Sequence, residues 1–213
     1  VNVQAILDAI FPPQCASCNV LGSALCPACA PVQEPFRVPH SSLAVTATGW
    51  YDGGLRAAVL ATKDGRRDVA AALGARISRA VTRGALLIPV PTTAARLRAR
   101  GMDGVALIAG VAASIAGATV LRALLHCGND AQRGRSRDER LAAHGRFGCR
   151  LDLCGRACTL VDDVCTTGST LTDCAHVVAA AGGTVTGALV VAATKSPSPW
   201  SLSTNSISSA RTS

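Results

Sequence analysis

The sequence predicts an α/β fold: a mainly parallel sheet flanked by helices, preceded by a small cysteine knuckle. Between residues 157 and 193, two apolar runs rich in β-branched residues flank a stretch of helical period, which makes a βαβ unit and so a parallel strand pair. Leu87-Ile88-Pro89-Val90-Pro91 is a continuous apolar run closed by Pro-x-Pro, the pattern of a strand covered on both faces. Cys15-x2-Cys18-x7-Cys26-x2-Cys29 places four thiols in two short knuckles ahead of all this.

Taken in order, residues 1–11 show Val3, Ile6, Leu7 and Ile10 on one side of a short amphipathic helix. The knuckle follows, and Pro31 and Pro35 close a first unit over residues 1–36. The main domain is expected over 42–194. Residues 42–50 alternate and carry β-branched side chains, so a strand is expected. A short helix fits 54–62, and a longer one fits 66–83, where Val69, Leu73, Ile77 and Val81 recur at helical spacing. The strand at 86–91 leads to a helix over 104–116 that is apolar nearly all round, which predicts burial between layers. A strand at 119–125 comes next. About thirty residues rich in Arg, Gly and Asp then lack period, as a mobile loop or hairpin over a site would. Strands at 157–161 and 184–193 flank a helix over 169–181. The Ser, Thr and Pro-rich residues 195–213 read as a disordered tail.

Each cysteine knuckle can place two thiolates about one metal, and the loop between them is long enough to return. The spacing supports a closed four-cysteine Zn²⁺ site through Cys15, Cys18, Cys26 and Cys29, structural because no position stays open. Two disulfides are the alternative for a secreted chain. Six further cysteines show no pairing pattern.

The most informative stretch is Thr159-Leu160-Val161-Asp162-Asp163-Val164-Cys165-Thr166-Thr167-Gly168-Ser169-Thr170-Leu171. An apolar strand delivers two adjacent carboxylates, and a hydroxyl and glycine turn then opens a helix. Backbone amides of Thr166, Thr167, Gly168, Ser169 and Thr170 would point from the helix start, where the dipole favours an anion, so a monophosphate fits. Asp162 and Asp163 would repel that phosphate, and they suit sugar hydroxyls or a hydrated Mg²⁺. No P-loop or dinucleotide glycine motif occurs elsewhere. Strands 86–91 and 157–161 would bring Pro89, Val90 and Pro91 to the same crevice, beyond their carboxyl ends. Cys165, in the phosphate turn, is either a thiol of lowered pKa or a core residue. His40, His126, His144 and His176 show no metal spacing.

The net charge of +8 lies in the first 150 residues, which carry +9 against −1 for the rest. Arginines supply nearly all of it, in one cluster at Arg96, Arg98 and Arg100 and another from Arg133 to Arg150. They suit a pyrophosphate, a nucleic-acid backbone or a solvated face. Six aromatic residues are too few for a dedicated single-strand platform. No apolar run is long enough to span a bilayer, so no membrane insertion is expected and the cytoplasm is the expected location.

With its two carboxylates and Thr/Gly loop, the sequence resembles the phosphoribosyltransferases, and with the cysteine knuckle in front it resembles the ComF competence-protein family in particular. Leu87-Ile88-Pro89-Val90-Pro91 with Arg96, Arg98, Arg100 and Gly101 is similar to that family's Pro-Val-Pro and Arg-Gly-Phe-Asn region. Residues 51–63, from Tyr51 to Lys63, and residues 132–140 with Phe147 resemble two more of its segments. The chain departs from the family in having Met102, Asp103 and Gly104 where Phe, Asn and Gln are usual, and Ala143 where Asn is. The resemblance implies a type I phosphoribosyltransferase-like fold. It also implies Mg²⁺-dependent binding of phosphoribosyl pyrophosphate (PRPP), with Asp162 and Asp163 on the ribose hydroxyls and residues 166–170 on the 5′-phosphate. Lys63, Arg100 and the Pro89-Val90-Pro91 turn would serve the departing pyrophosphate. The family is associated with DNA uptake, so single-stranded DNA or the uptake machinery is the implied partner, and a non-catalytic PRPP or nucleotide sensor of the same fold is the alternative. Thr166 stands where some purine enzymes carry an acid that handles the base proton, so purine acceptors are not expected.

Overall fold

The computed structural model describes residues 12–38, 43–127, 143–144 and 146–195. The expected helix at 1–11, the arginines at 133–140, His40 and the tail beyond 195 lie outside the described residues. In chain order the elements are β1 (Phe36–Arg37), β2 (Val45–Ala47), α1 (Gly53–Lys63), α2 (Arg67–Ile77), a 3-10 turn (Ser78–Ala80), β3 (Leu86–Pro89), α3 (Ala94–Arg100), α4 (Gly104–Ala116), β4 (Thr119–Val120), β5 (Leu124–His126), β6 (Ala143–His144), β7 (Phe147–Cys149), β8 (Ala157–Cys165), α5 (Ser169–Ala180) and β9 (Thr184–Ala193).

Six strands form one sheet in the order β1-β2-β9-β8-β3-β4, in which every pair except β1 with β2 is parallel. The α/β prediction therefore holds. Because strand side chains alternate, Ile88, Leu160 and Val190 pack on one face with Leu171, Val177 and Val178 of α5. Leu87, Val161 and Val191 pack on the other with Val59, Leu73, Ile77 and Ile108 of α1, α2 and α4. Covering both faces is what lets these strands be continuously apolar.

Five expectations need correction. Residues 119–125 are not one strand: β4 ends at Val120, and β5 belongs to a separate antiparallel sheet, β5-β7-β6. Arg122 sits exposed at the break and donates to the Asp103 carboxylate at 2.8 Å, a charge the buried sheet could not accept. The 66–83 helix stops at Ile77, where Ser78 Oγ donates back to the Ala75 carbonyl, and by Val81 the backbone is extended. Strand β8 does not end at Val161 but runs to Cys165, paired with β9 throughout that extension. Helix α4 covers an edge of the sheet, so it buries only Ile108, Ala109, Ala112 and Ala113, and Ile115 remains 60% exposed. Helix α3 was not expected at all. It buries no residue, so no apolar period announced it, yet Thr93 Oγ1 accepts from the Arg96 amide and Gly101 closes it in the left-handed conformation.

The hairpin expected after residue 125 exists in its described part, β6 to β7, and it packs against α5. Among the described residues no single helix is long and apolar enough to cross a membrane.

The cysteine knuckle docks on α1 and α2. Arg76 donates to the Ala30, Pro31 and Thr48 carbonyls, and Arg66 donates to the Gln14 carbonyl at 2.6 Å. Arg76 is half-buried, and burial lowers its pKa, with Arg79 adding repulsion. Gly54 makes the closest approach: a Cβ there would lie 2.3 Å from the Cys29 carbonyl oxygen. Gly54→Ala is accordingly expected to destabilise the protein by about 2 kcal/mol, since overpacking against rigid backbone typically costs that much. Urea denaturation would show it as a lower midpoint at unchanged slope.

Candidate functional site

The two crossovers that leave the centre of the sheet diverge. After β3 the chain passes through α4 to β4 on one side, and after β8 it passes through α5 to β9 on the other, with α4 and α5 on opposite faces. The carboxyl ends of β3 and β8 are thus a topological switch point, where the two following loops part and leave a crevice. A cleft of about 390 Å³ opens there. It is lined by Val90, Pro91, Thr92 and Thr93 after β3, by Asp162, Asp163, Val164, Thr166 and Thr170, by Thr62 and Lys63 of α1, and by Arg96 and Arg100 of α3.

The two carboxylates are not equivalent. Adjacent strand residues point to opposite faces, so Asp162 turns toward the α5 layer and Asp163 toward α1. Lys63, the last residue of α1, lies with Nζ 3.3 Å from Asp163 Oδ2. Asp162 is buried, and its Oδ1 accepts from the Asp163 amide at 2.8 Å. Burial first, and the neighbouring Asp163 charge second, push the Asp162 carboxyl up to about 8, against the opposing pull of that amide and of Lys63.

The sign of this shift sets a prediction. A carboxyl whose folded pKa lies above its unfolded value binds more protons when folded, so its contribution falls as pH rises from about 4 through about 8. Asp162→Asn keeps the accepted hydrogen bond and removes the charge. The variant is expected to be more stable than the parent by a few kcal/mol at pH 8.5, each unit of displacement being worth about 1.4 kcal/mol. Denaturant titrations from pH 4.5 to 8.5 check this: the parent should lose stability across the window while the variant stays level.

The loop after β8 has the form that the sequence suggested. Gly168 sits at φ 79°, a left-handed conformation that opens α5. Its N-cap residue, Gly168, has no side chain to offer and no acidic residue occupies its first turn, which leaves its start electropositive. Thr167 Oγ1 donates to Ser169 Oγ and accepts from the Ser169 amide. Thr166, Thr167 and Ser169 are exposed, Thr170 is half-buried, and Gly168 is buried. Cys165 is 3% exposed, and burial, with help from Asp162, raises its thiol pKa, so it is a core residue and not an activated thiol.

The small antiparallel sheet walls one side of the cleft, with the hairpin that the sequence allowed for and with β5, which was expected in the main sheet. His126 of β5 lines the cleft with its ring edge-on to Phe147, centroids 5.3 Å apart. Arg146 lies over the Phe147 ring, donates to Thr170 Oγ1 at 3.2 Å and faces Asp173 at 3.8 Å. It thereby ties this wall to the first turn of α5. His126 carries no motif, and only the pairing of β5 with β7 brings it here. Of the residues predicted from sequence, Pro89 ends β3 in register with Val161, while Thr167, Gly168 and Ser169 form the turn beside the cleft.

Away from the cleft, the ligand atoms of Cys15, Cys18, Cys26 and Cys29 all lie within 4.8 Å of one another. Cys18 and Cys26 sulfurs are 3.6 Å apart, and Cys15 Sγ accepts from the Cys26 amide. Burial raises the Cys15 thiol, but the amides of Cys26, Cys18 and Ser17 outweigh it and bring it down to about 6. This is the only such group among the described residues, and the later cysteines form no second one.

The chain matches no protein-family model and no curated protein sequence.

Proposed function

We propose that the switch-point cleft binds PRPP with Mg²⁺ and that the protein is a phosphoribosyltransferase-like enzyme with a structural zinc knuckle. One observation carries this reading. A single cleft brings together a carboxylate paired with a lysine, a helix start free of acidic residues after a left-handed glycine, and a Pro-x-Pro loop followed by two arginines of α3. Those are three separate demands of a sugar carrying phosphates at both ends.

In this reading Asp163 accepts from the ribose hydroxyls, buried Asp162 holds the strand end and the Asp163 amide in place, and the 166–170 turn takes the 5′-phosphate. Lys63, Arg96, Arg100 and the 89–93 loop receive the pyrophosphate, whose charge grows as the C1–O bond breaks. Holding both ends of the substrate converts binding into positioning at C1. Mg²⁺, held through Asp163 and the substrate's own oxygens, would neutralise pyrophosphate charge.

The cysteine group fits zinc. Four sulfurs at the usual Zn–S length of a tetrahedral site lie about 3.8 Å apart; here Cys18 and Cys26 are at 3.6 Å and all four lie within 4.8 Å, and with all four positions filled the metal would stabilise and not react. Calorimetric titration of PRPP, with and without Mg²⁺, tests the function. Micromolar binding that weakens sharply without Mg²⁺ supports it, and no heat in either case removes it.

A further inference from the structure

Resting on that reading, the cleft's own side chains point to the class of acceptor. Its titratable groups other than arginine, among the described residues, are Tyr51, Lys63, Asp103, Asp162, Asp163 and His126. Lys63 and Asp163 are paired with each other. Asp103 accepts from Arg122 and from the Ala106 amide. Asp162 is buried and accepts from the Asp163 amide, and Tyr51 offers a hydroxyl donor. His126 is left as the side chain able to take a proton.

We propose that His126 is the general base of this cleft, taking the proton from an uncharged N–H heterocycle as its ring nitrogen attacks C1 of bound PRPP. In that step the C1–N bond forms, the C1–O bond to pyrophosphate breaks with its electron pair leaving on oxygen, and the N–H proton passes to the imidazole. Burial first, then the charges of Arg146 from the β6–β7 turn and Arg96 from α3, lower the imidazole pKa, which favours the neutral, proton-accepting ring. Asp173 faces Arg146, while Phe147 of β7 presents its ring. The two guanidiniums disfavour an ammonium acceptor, and Val105 of α4 offers a flat ring an apolar contact. On this proposal the proton acceptor comes from another element, so the missing acid at Thr166 does not by itself exclude a purine.

Pyrophosphate release from PRPP and Mg²⁺ is measured with adenine, hypoxanthine, uracil or ammonium chloride, alongside PRPP titrations of parent and variants. At least one heterocycle should outrun ammonium. His126→Ala should slow that reaction about 10² to 10⁴-fold at unchanged PRPP affinity, lose the fall in rate on the acid side, and regain part of the rate with added imidazole. His126→Gln, which retains size and a hydrogen-bonding group, should be as slow as His126→Ala. A parent that binds PRPP but turns over none of the heterocycles overturns the proposal, as does a His126→Gln variant with parental rate and pH profile. Absence of PRPP binding by the parent removes the PRPP reading itself, and this inference with it.

Discussion

Asp163→Asn is expected to abolish PRPP binding at concentrations that saturate the parent. The carboxylate offers two charged acceptors to two hydroxyls, and hydrogen bonds to charged groups are worth about 1.5–3 kcal/mol each. Losing both costs about 3 kcal/mol or more, over 100-fold in affinity. Asparagine keeps the shape but offers one oxygen and an NH₂ that faces hydroxyl donors poorly. Folding should survive, because the Lys63–Asp163 pair is partly exposed and such pairs contribute at most about 1 kcal/mol. Calorimetry with a parallel thermal melt separates the two effects. Equal affinity in parent and variant would mean that the Asp-Asp pair does not face a sugar, and the PRPP assignment would fall.

Loss of the proposed zinc from the cysteine knuckle is the second large expected effect. The protein is expected to purify with about one zinc per chain. A strong chelator should lower its Tm by about 10 °C, since a domain of this size loses roughly 2–4 °C per kcal/mol. The knuckle has little core of its own and lies on α1 and α2 through Arg76, Arg66 and the Gly54 contact, so loosening it exposes Leu55 and Ala58 beneath. Cys15→Ser should reproduce the loss, because Cys15 is fully buried. Cys154→Ser, at an exposed thiol outside the group, should leave Tm and zinc content unchanged. Elemental analysis and intact mass under non-reducing conditions decide the matter: absent zinc with a mass lower by the four hydrogens that two disulfides remove would replace the metal by cystines.

Much of the fold was legible because its signals are local. The β8-α5-β9 unit announces itself by period alone, and so do β3, α1 and the first part of α2. Capped but exposed α3 was not legible, because without a buried face its helix leaves only Thr93 and Gly101 as marks. The split of residues 119–125 was equally hidden. An apolar run does not say which sheet it joins, and the break depends on Arg122 finding Asp103 from another element.

What the sequence by itself determined are the features written within a few residues of one another: four cysteines at ligand spacing, two adjacent carboxylates late in a strand, and a glycine turn opening a helix. Backbone geometry turns such spacing directly into local structure. Tertiary structure alone decided how those parts differ and what joins them. The alternation of side chains along β8 is local, but only the layers packed on its two faces bury Asp162 and give Asp163 to Lys63, exactly one hundred residues earlier in the chain. Only the antiparallel pairing of β5 with β7 sets His126 and Arg146 beside the turn that opens α5. Burial and charge proximity depend on what the rest of the chain places nearby, and they set the protonation of a carboxyl or an imidazole.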